Sequence, residues 1–205
     1  MPPRPRAIEP VQARAQATRE LLVTAAAALL SKAGVERLST NLICARAGVT
    51  PPAFYRYFKD KYAILEELGE RLMTAQNEAL MPLLARDDPA IAEAELCALI
   101  LESIAITEDF PGGPWVLRAL RAVPSLQHVR LASHRKMSAL LAKAAARNGR
   151  RIGARTLLQA RLLIDMGYAA IELAFDEPHL KRAALARAAA RALAPLADAM
   201  VEGAG

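Results

Sequence analysis

The sequence predicts an all-α protein with an N-terminal three-helix domain and a larger C-terminal helical domain. Apolar residues make up 54% of the 205-residue chain and aromatic residues only 4%. Most of the apolar residues are alanine and leucine, which favour helices. Apolar positions recur every three to four residues in most segments. Glycine and proline are concentrated between those segments, where they predict turns.

The chain begins with a segment rich in proline and arginine, and residues 1–13 are predicted to form a flexible arm. Arg4 and Arg6 could reach a DNA minor groove, although a solvated tail is the simpler interpretation. A first helix is predicted from about Arg14 to Lys32. Gly34 is placed to end this helix, which would pack across the two helices that follow.

Residues 39–48 predict a short second helix. Ser39 or Thr40 can cap it, because a side-chain oxygen at that position accepts an otherwise unpaired backbone N–H. Gly48 is placed to end it, since glycine adopts a left-handed φ without a Cβ clash. This helix and the next form one unit.

A third short helix is predicted after a tight turn. Thr50 is expected to cap it, and Pro51 and Pro52 are tolerated in its first turn, where an N–H has no intrahelical partner. Phe54 and Phe58 are four residues apart and predict its buried face. The spacing of the second and third helices is typical of a helix-turn-helix that enters a DNA major groove.

Polar groups lie between those two phenylalanines. Tyr55, Arg56 and Tyr57 are expected to point outward, where hydroxyl and guanidinium groups suit phosphates and base edges. Asp60 is placed to cap the next helix. Lys61 would then lie in a first turn that disfavours a cation, and a nearby phosphate would remove that conflict.

These residues resemble the DNA-binding domain of the TetR family of transcriptional regulators over about residues 14–72. The shared pattern is Thr40, Ile43-Cys44, Ala47-Gly48-Val49, Phe54-Tyr55, Phe58 and Lys61. Cys44 stands where alanine is usual and is small enough for the helix crossing. The opening Pro51-Pro52-Ala53 is unusually apolar for a recognition helix. The resemblance implies a DNA-binding repressor that a small-molecule effector releases and that dimerises through its last two helices.

The expected DNA-binding residues follow from this resemblance and from their outward placement. Phosphate contacts are expected from Thr40, Tyr55, Tyr57 and Lys61. Base reading is expected from Asn41, Pro51, Pro52, Ala53 and Arg56, with Thr50 beside them. The prolines would contact thymine methyl groups. Two copies would read half-sites of a double-stranded operator about 34–36 Å apart, or a multiple of that distance.

The net charge of +6 lies entirely in the N-terminal part of the chain. Residues 1–62 contain ten Lys and Arg against four Asp and Glu, whereas residues 63–205 carry no net charge. A basic domain of this kind gains affinity for a phosphate backbone through counterion release. The charge therefore favours DNA binding by residues 14–62, and residues 63–205 are assigned to ligand binding and dimerisation.

Six further helices are predicted C-terminal to the helix-turn-helix. Their predicted bounds are Lys61–Arg86, Ala90–Thr107, Trp115–Val123, Leu126–Arg147, Thr156–Phe175 and Pro178–Val201. Pro82 is expected to bend or end the first of them. The segment from Thr156 is apolar on nearly every face, which predicts a helix buried all round. The last two helices carry more apolar surface than one small domain needs to bury. This surplus predicts a homodimer in which the two helices of each copy form a four-helix bundle.

An effector pocket is expected between Ala90 and Phe175, with core packing as the alternative role for most of its residues. The ligand should be small and largely apolar, and the Phe110–Pro114 loop is the expected entrance. Glu102 or His134 would be the polar anchor. The proposed walls are Leu99, Ile106, Phe110, Trp115, Met137, Leu141, Met166 and Tyr168.

Residues for other kinds of chemistry are missing from the sequence. The three histidines do not have the spacing of a helical metal site, and there is no phosphate loop, nucleophile elbow or HExxH motif. We therefore expect no catalytic residue, metal or cofactor. Asp165 and Glu172 interrupt the most apolar helix; they form structural pairs, as with Arg161, or line a cavity or a dimer interface.

Cys44 and Cys97 are expected to be reduced thiols in a cytoplasmic protein, with no secretory signal and no membrane-spanning helix. Two alternative functions are a helical enzyme with a fortuitous helix-turn-helix and a basic membrane-surface protein. The first is disfavoured by the missing catalytic residues. The second is disfavoured because no helix combines a basic face with a bulky apolar one.

Overall fold

The computed structural model describes residues 9–146 and 151–202. These residues form helices and turns without any strand, which confirms the prediction of an all-α fold. A 3-10 turn at Pro124–Leu126 precedes α7. The α-helices are α1 (Glu9–Arg37), α2 (Thr40–Ala47), α3 (Pro51–Phe54), α4 (Lys61–Ala85), α5 (Glu93–Asp109), α6 (Gly113–Ala122), α7 (Gln127–Ala145), α8 (Ala154–Asp176) and α9 (Arg182–Glu202).

Helix α1 begins earlier than the sequence suggested. It starts at Glu9 rather than Arg14, because Pro10 falls in the first turn, where the missing N–H breaks no helical hydrogen bond. The part of the predicted arm from residue 9 to 13 is therefore helical. Residues 1–8, with Arg4 and Arg6, lie outside the described residues.

Helix α1 breaks at Gly34, as predicted. Gly34 has a φ of 70°, which an L side chain rarely adopts, and one more helical turn follows it. A Cβ built on Gly34 would lie 3.1 Å from the Trp115 ring. The break therefore also lets α6 approach α1 closely.

Pro82 does not end α4, which continues to Ala85, one residue short of the predicted Arg86. The start of the last helix differs from the prediction. Pro178 does not open the last helix, because Leu180 N–H bonds back to the Glu177 carbonyl in a turn and α9 begins only at Arg182. The predicted stop at Asn148-Gly149 lies outside the described residues.

Helix α8 is not buried on all sides in the single chain, which corrects the prediction. One face packs against α7 and α9 through buried residues such as Leu163 and Ile171. The opposite face exposes large apolar side chains by between 40% and 60%. They are Leu158, Leu162, Met166 and Leu173. An apolar pattern cannot distinguish the core of one chain from an interface between two.

Helix α4 lies at the centre of the fold and packs against α1, α5, α6 and α7. Its buried residues run from Ile64 near the helix-turn-helix to Leu84 at the far end. With 25 residues, it is about 37 Å long. One continuous helix therefore connects the N-terminal domain to the C-terminal core.

Gly69 of α4 lies directly against Leu120 of α6. A Cβ at Gly69 would lie 2.6 Å from Leu120 Cδ2, and Leu120 is fully buried. A close contact in a filled core leaves the leucine little room to move.

We expect Gly69→Ala to lower the free energy of unfolding by about 1–3 kcal/mol, because the added methyl group overpacks the α4–α6 contact. Gly167→Ala in α8 is the matched control, since nothing lies within 4 Å of its Cβ position. Removing a mid-helix glycine there should raise the stability by about 0.5–1 kcal/mol. Urea unfolding of both variants measures the difference, and equal shifts would contradict the assigned contact.

Candidate DNA-binding surface and apolar cavity

Helix α2 has the ends that the sequence predicted. Ser39, rather than Thr40, is the cap, and its Oγ accepts the Leu42 N–H at 3.3 Å. Gly48 ends the helix with a φ of 66°, and the Val49 N–H bonds to the Cys44 carbonyl at 3.0 Å. Burial raises the pKa of the Cys44 thiol. These local bonds fix the path of the chain into α3.

Helix α3 is only four residues long, shorter than the predicted recognition helix. Thr50 has the extended backbone of a cap, but its hydroxyl makes no capping hydrogen bond. A capping oxygen bonds to the second or third helical N–H, and Pro52 has removed the second. After Phe54 the chain continues in tight turns, with the Tyr57 N–H bonded to the Phe54 carbonyl at 2.9 Å.

The two phenylalanines anchor this segment. Phe54 and Phe58 are buried, and their ring centroids are 5.7 Å apart. Arg19 of α1 lies 5.4 Å above the Phe58 ring. The intervening turns are thereby held against α1, and their outer face is left open to solvent.

The predicted DNA-contacting residues all lie between the start of α2 and the start of α4, and they differ in exposure. Tyr55 is 59% exposed, whereas Tyr57 is half-buried and packs against the core. Thr40 and Ala53 are also half-buried. The remaining exposed members are Asn41, Thr50, Pro51, Pro52 and Arg56.

Lys61 is placed differently from the prediction, because its ammonium group is already engaged within the chain. Nζ donates to the carbonyls of Val35 at 3.2 Å and Leu38 at 3.0 Å. The two carbonyls, at and just after the end of α1, stabilise a lysine ammonium that the N-terminus of α4 disfavours. The sequence had predicted that a phosphate would do this. Asp60 caps α4 as predicted, since its Oδ1 accepts from Tyr62 and Ala63 N–H. An ammonium has three donors, so one remains for a phosphate.

A charged network that the sequence analysis missed joins α1 to α4. Arg19 donates to Glu67 at 2.7 Å, and Arg71 donates to Glu67 at 3.1 Å and to Glu20 at 2.6 Å. The Glu67 side chain is only 8% exposed, and the bonds from Arg71 hold the pKa of Glu20 below its usual value. The four-residue spacing of Glu67 and Arg71 could have predicted the ion pair within α4. The partners in α1 lie about 50 positions away, and no local pattern indicates them.

The C-terminal domain contains an apolar cavity of about 70 Å³ between α4, α5, α7, α8 and α9. Three of the residues predicted as walls of an effector pocket, Leu99, Leu141 and Tyr168, line it. The other lining residues are Leu80, Leu83, Ile91, Leu96, Ile100, Ser103, Leu163, Ile164, Gly167, Ile171 and Leu193. An apolar cavity of about 150 Å³ binds benzene, so a ligand of that size requires some movement of these helices.

Several predicted walls lie away from this cavity. Trp115 packs against Gly34 at the junction of α1 and α6, with Arg118 5.2 Å above its ring. Met166 is on the exposed face of α8, and Met137 is buried in the core without lining the cavity. The spacing of apolar residues predicts which face of a helix is buried. It does not predict which other helix packs against that face.

The expected entrance does not line this cavity. Phe110 is half-buried and does not line the cavity, and the loop that follows it packs against α1, where a Cβ on Gly112 would lie 3.0 Å from the Ala27 carbonyl. Glu102 and Ile106 instead line an open groove between α4 and α5. This groove shares Leu83 and Leu99 with the cavity and therefore adjoins it.

The acidic residues of α8 form structural pairs. Asp165 bonds to Arg161 on its own helix and to the buried His134 of α7. Glu172 accepts from Arg121 of α6 at 2.8 Å, and burial nevertheless raises the pKa of its carboxyl group. Neither carboxylate lines the apolar cavity.

Within residues 9–146 and 151–202, no group of three or more His, Cys, Asp or Glu side chains is arranged to hold a metal ion. None of the described helices is both long and apolar enough to span a bilayer.

Comparison with known proteins supports the interpretation of the N-terminal domain. Residues 22–68 match the family model described as bacterial regulatory proteins, tetR family. The tetracycline repressor protein class C of Escherichia coli is 39% identical over 70 residues, which are 34% of this chain and 31% of that protein. The chain thus spans about a third of the length of the curated relatives it matches.

Solved structures extend the similarity to the rest of the fold. A tetR-family transcriptional regulator from Streptomyces coelicolor has a TM-score of 0.70 at 18% identity, covering 92% of this chain and 88% of that one. The SmeT–triclosan complex has a TM-score of 0.64 at 26% identity, covering 86% and 91%. SmeT is the repressor of the Stenotrophomonas maltophilia multidrug efflux pump SmeDEF.

Proposed function

We propose that this chain, whose N-terminal domain is that of the tetR family of bacterial regulatory proteins, is a dimeric, sequence-specific DNA-binding repressor. It acts in the cytoplasm on a double-stranded operator and is released by a small, largely apolar effector. It is not an enzyme. The observation that carries the proposal is the exposed surface of α2 and α3, which lies on the part of the chain that holds all of its net positive charge.

The proposed contacts follow from the exposure of these side chains. Pro51 and Pro52 at the start of α3 present apolar surface to thymine methyl groups, and Arg56 supplies the polar base contact. The Thr50 hydroxyl makes no capping bond and is therefore available to a phosphate. Tyr55 contributes a second hydroxyl. The remaining proposed contacts are Thr40, Asn41, Ala53, Tyr57 and Lys61.

We expect Arg56→Ala to weaken binding to the operator by roughly 5- to 150-fold while changing affinity for unrelated DNA little, because a base contact carries sequence information. Fluorescence anisotropy measures both affinities, with DNA from upstream of the protein's own gene as the operator and an unrelated duplex of the same length as the comparison. Equal losses on the two DNAs would remove Arg56 from base reading.

Lys61→Ala should behave differently in the same assay. It should weaken binding to all DNA sequences alike. The slope of log affinity against log salt concentration should fall in magnitude by about one unit. It should also lower the free energy of unfolding, because two carbonyls lose their donor. Lys59→Ala, an exposed lysine two residues away, is the control for stability and should be nearly neutral.

The exposed face of α8 supports a homodimer through the last two helices. Leu158, Leu162 and Met166 are spaced four residues apart and form a continuous apolar stripe on the helix surface. A second copy of the same helix is the self-complementary occupant that a two-fold axis supplies. Together with α9 of each copy, these helices would form a four-helix bundle.

We expect Leu162→Glu to convert the dimer to a monomer, since it places a charge in the centre of this stripe. The monomer should bind the two-half-site operator more weakly, because the second domain is no longer tethered. Leu21→Glu, at an exposed leucine of α1, is the control and should remain dimeric. Light scattering after size-exclusion chromatography measures the mass; a dimeric Leu162→Glu protein would exclude this interface.

The apolar cavity supports an effector that acts through α4. Leu80 and Leu83 of α4 line the cavity, and the same helix begins next to the DNA-binding surface. A ligand larger than the cavity favours the helix placement that accommodates it, and a changed placement alters the separation of the two reading surfaces.

Triclosan is a suitable first probe, since SmeT is described in complex with it. We expect it to lower the operator affinity of the wild-type chain but not of Gly167→Leu, whose added side chain would occupy the cavity. Anisotropy with and without the compound measures the effect. Equal release of DNA from both proteins would place the effector elsewhere.

A further inference from the structure

Gln76 in α4 carries a buried acceptor whose orientation is fixed by a chain of hydrogen bonds. The Thr107 hydroxyl donates to the Ser103 carbonyl at 2.7 Å, so its oxygen must accept from Gln76 Nε2, which lies at 2.8 Å. The amide therefore directs its Oε1 away from Thr107. That oxygen is buried and finds no hydrogen-bond donor among the described residues.

His134 in α7 carries a second acceptor of the same kind. Its Nδ1 bonds to the Asp165 carboxylate, which can only accept, so the proton lies on Nδ1. Burial lowers the pKa of His134, and the neutral ring has a lone pair at Nε2. The side chain is 1% exposed, and within the described part of the chain nothing donates to Nε2.

Both acceptors belong to side chains that are connected to residues of the cavity wall. Ser103, which anchors the Gln76 chain, lines the cavity, and so does Tyr168, whose ring stacks on His134 at 4.2 Å. The other lining residues are leucine, isoleucine and glycine. Among residues 9–146 and 151–202, the unpaired atoms connected to this wall, Gln76 Oε1 and His134 Nε2, are thus both acceptors.

An unpaired buried acceptor is unfavourable, and a donor that reaches it recovers the lost hydrogen bond. A ligand that carries only acceptors brings one lone pair against another and gains nothing. A hydroxyl or N–H group on an apolar body matches both the cavity walls and the acceptors connected to them.

We propose that the cavity selects small apolar molecules with one hydrogen-bond donor, such as aromatic alcohols, whose donor bonds to Gln76 Oε1 or His134 Nε2. The proposal rests on the effector role of this cavity. Gln76 and His134 then determine specificity, while the leucine and isoleucine walls hold the apolar body of the ligand.

Phenol and toluene are matched probes, since they differ by a hydroxyl in place of a methyl group. Isothermal titration calorimetry gives the ratio of their affinities for the wild-type dimer. We expect Gln76→Leu or His134→Phe to lower the phenol-to-toluene ratio by roughly 5-fold or more, the value of one hydrogen bond. Gln76→Leu nearly keeps the side-chain volume, and His134→Phe keeps a planar ring that can stack on Tyr168. The control is Ser138→Ala, whose buried hydroxyl is satisfied by its own helix, and it should keep the wild-type ratio.

Because either acceptor can take the donor, a ratio unchanged in the Gln76→Leu/His134→Phe double variant would overturn the proposal. Toluene binding with that unchanged ratio would leave the apolar effector cavity in place and remove only the donor requirement. Failure of both probes to bind the wild-type chain would overturn the effector role as well. Operator affinity measured without ligand separates either result from a loss of the DNA-binding surface.

Discussion

The buried carboxylate of Glu67 holds the two domains of this protein in one arrangement. A carboxylate that is withdrawn from water requires close cationic partners, and those partners come from α1 and from α4 itself. The position of α1 across the helix-turn-helix therefore depends on α4. Because α4 also packs against α5, α6 and α7, a change in the C-terminal core cannot be absorbed at a loose linker.

The contact between α1 and α6 supports the same arrangement from the other side. Gly34 and Gly112 let the two helices approach, and the Trp115 ring fills the space next to Gly34. The N-terminal domain is thus held at two separate places, one polar and one apolar. Its orientation is set by packing as well as by charge, so salt alone should not release it.

Features that depend on neighbours in sequence were predicted, and features that depend on distant segments were not. The Ser39 and Asp60 caps, the left-handed Gly48 and the burial of Phe54 and Phe58 are local consequences of residue type. Lys61 instead found carbonyls 23 and 26 positions away. The cavity lies between five helices. The apolar pattern of a helix does not specify how that helix is rotated against its neighbours, so most of the predicted wall residues do not line this cavity.

In the proposed DNA-binding role, the paired prolines of α3 affect the kinetics of recognition. Their rings fix φ at two successive residues, and Pro51 also restricts Thr50 to extended backbone. The start of the reading helix is therefore rigid before any partner arrives. A rigid element loses little conformational entropy on docking, and such preorganisation generally lengthens the lifetime of a complex more than it speeds its formation. A chain with flexible residues at these two positions would release its target sooner with the same set of contacts.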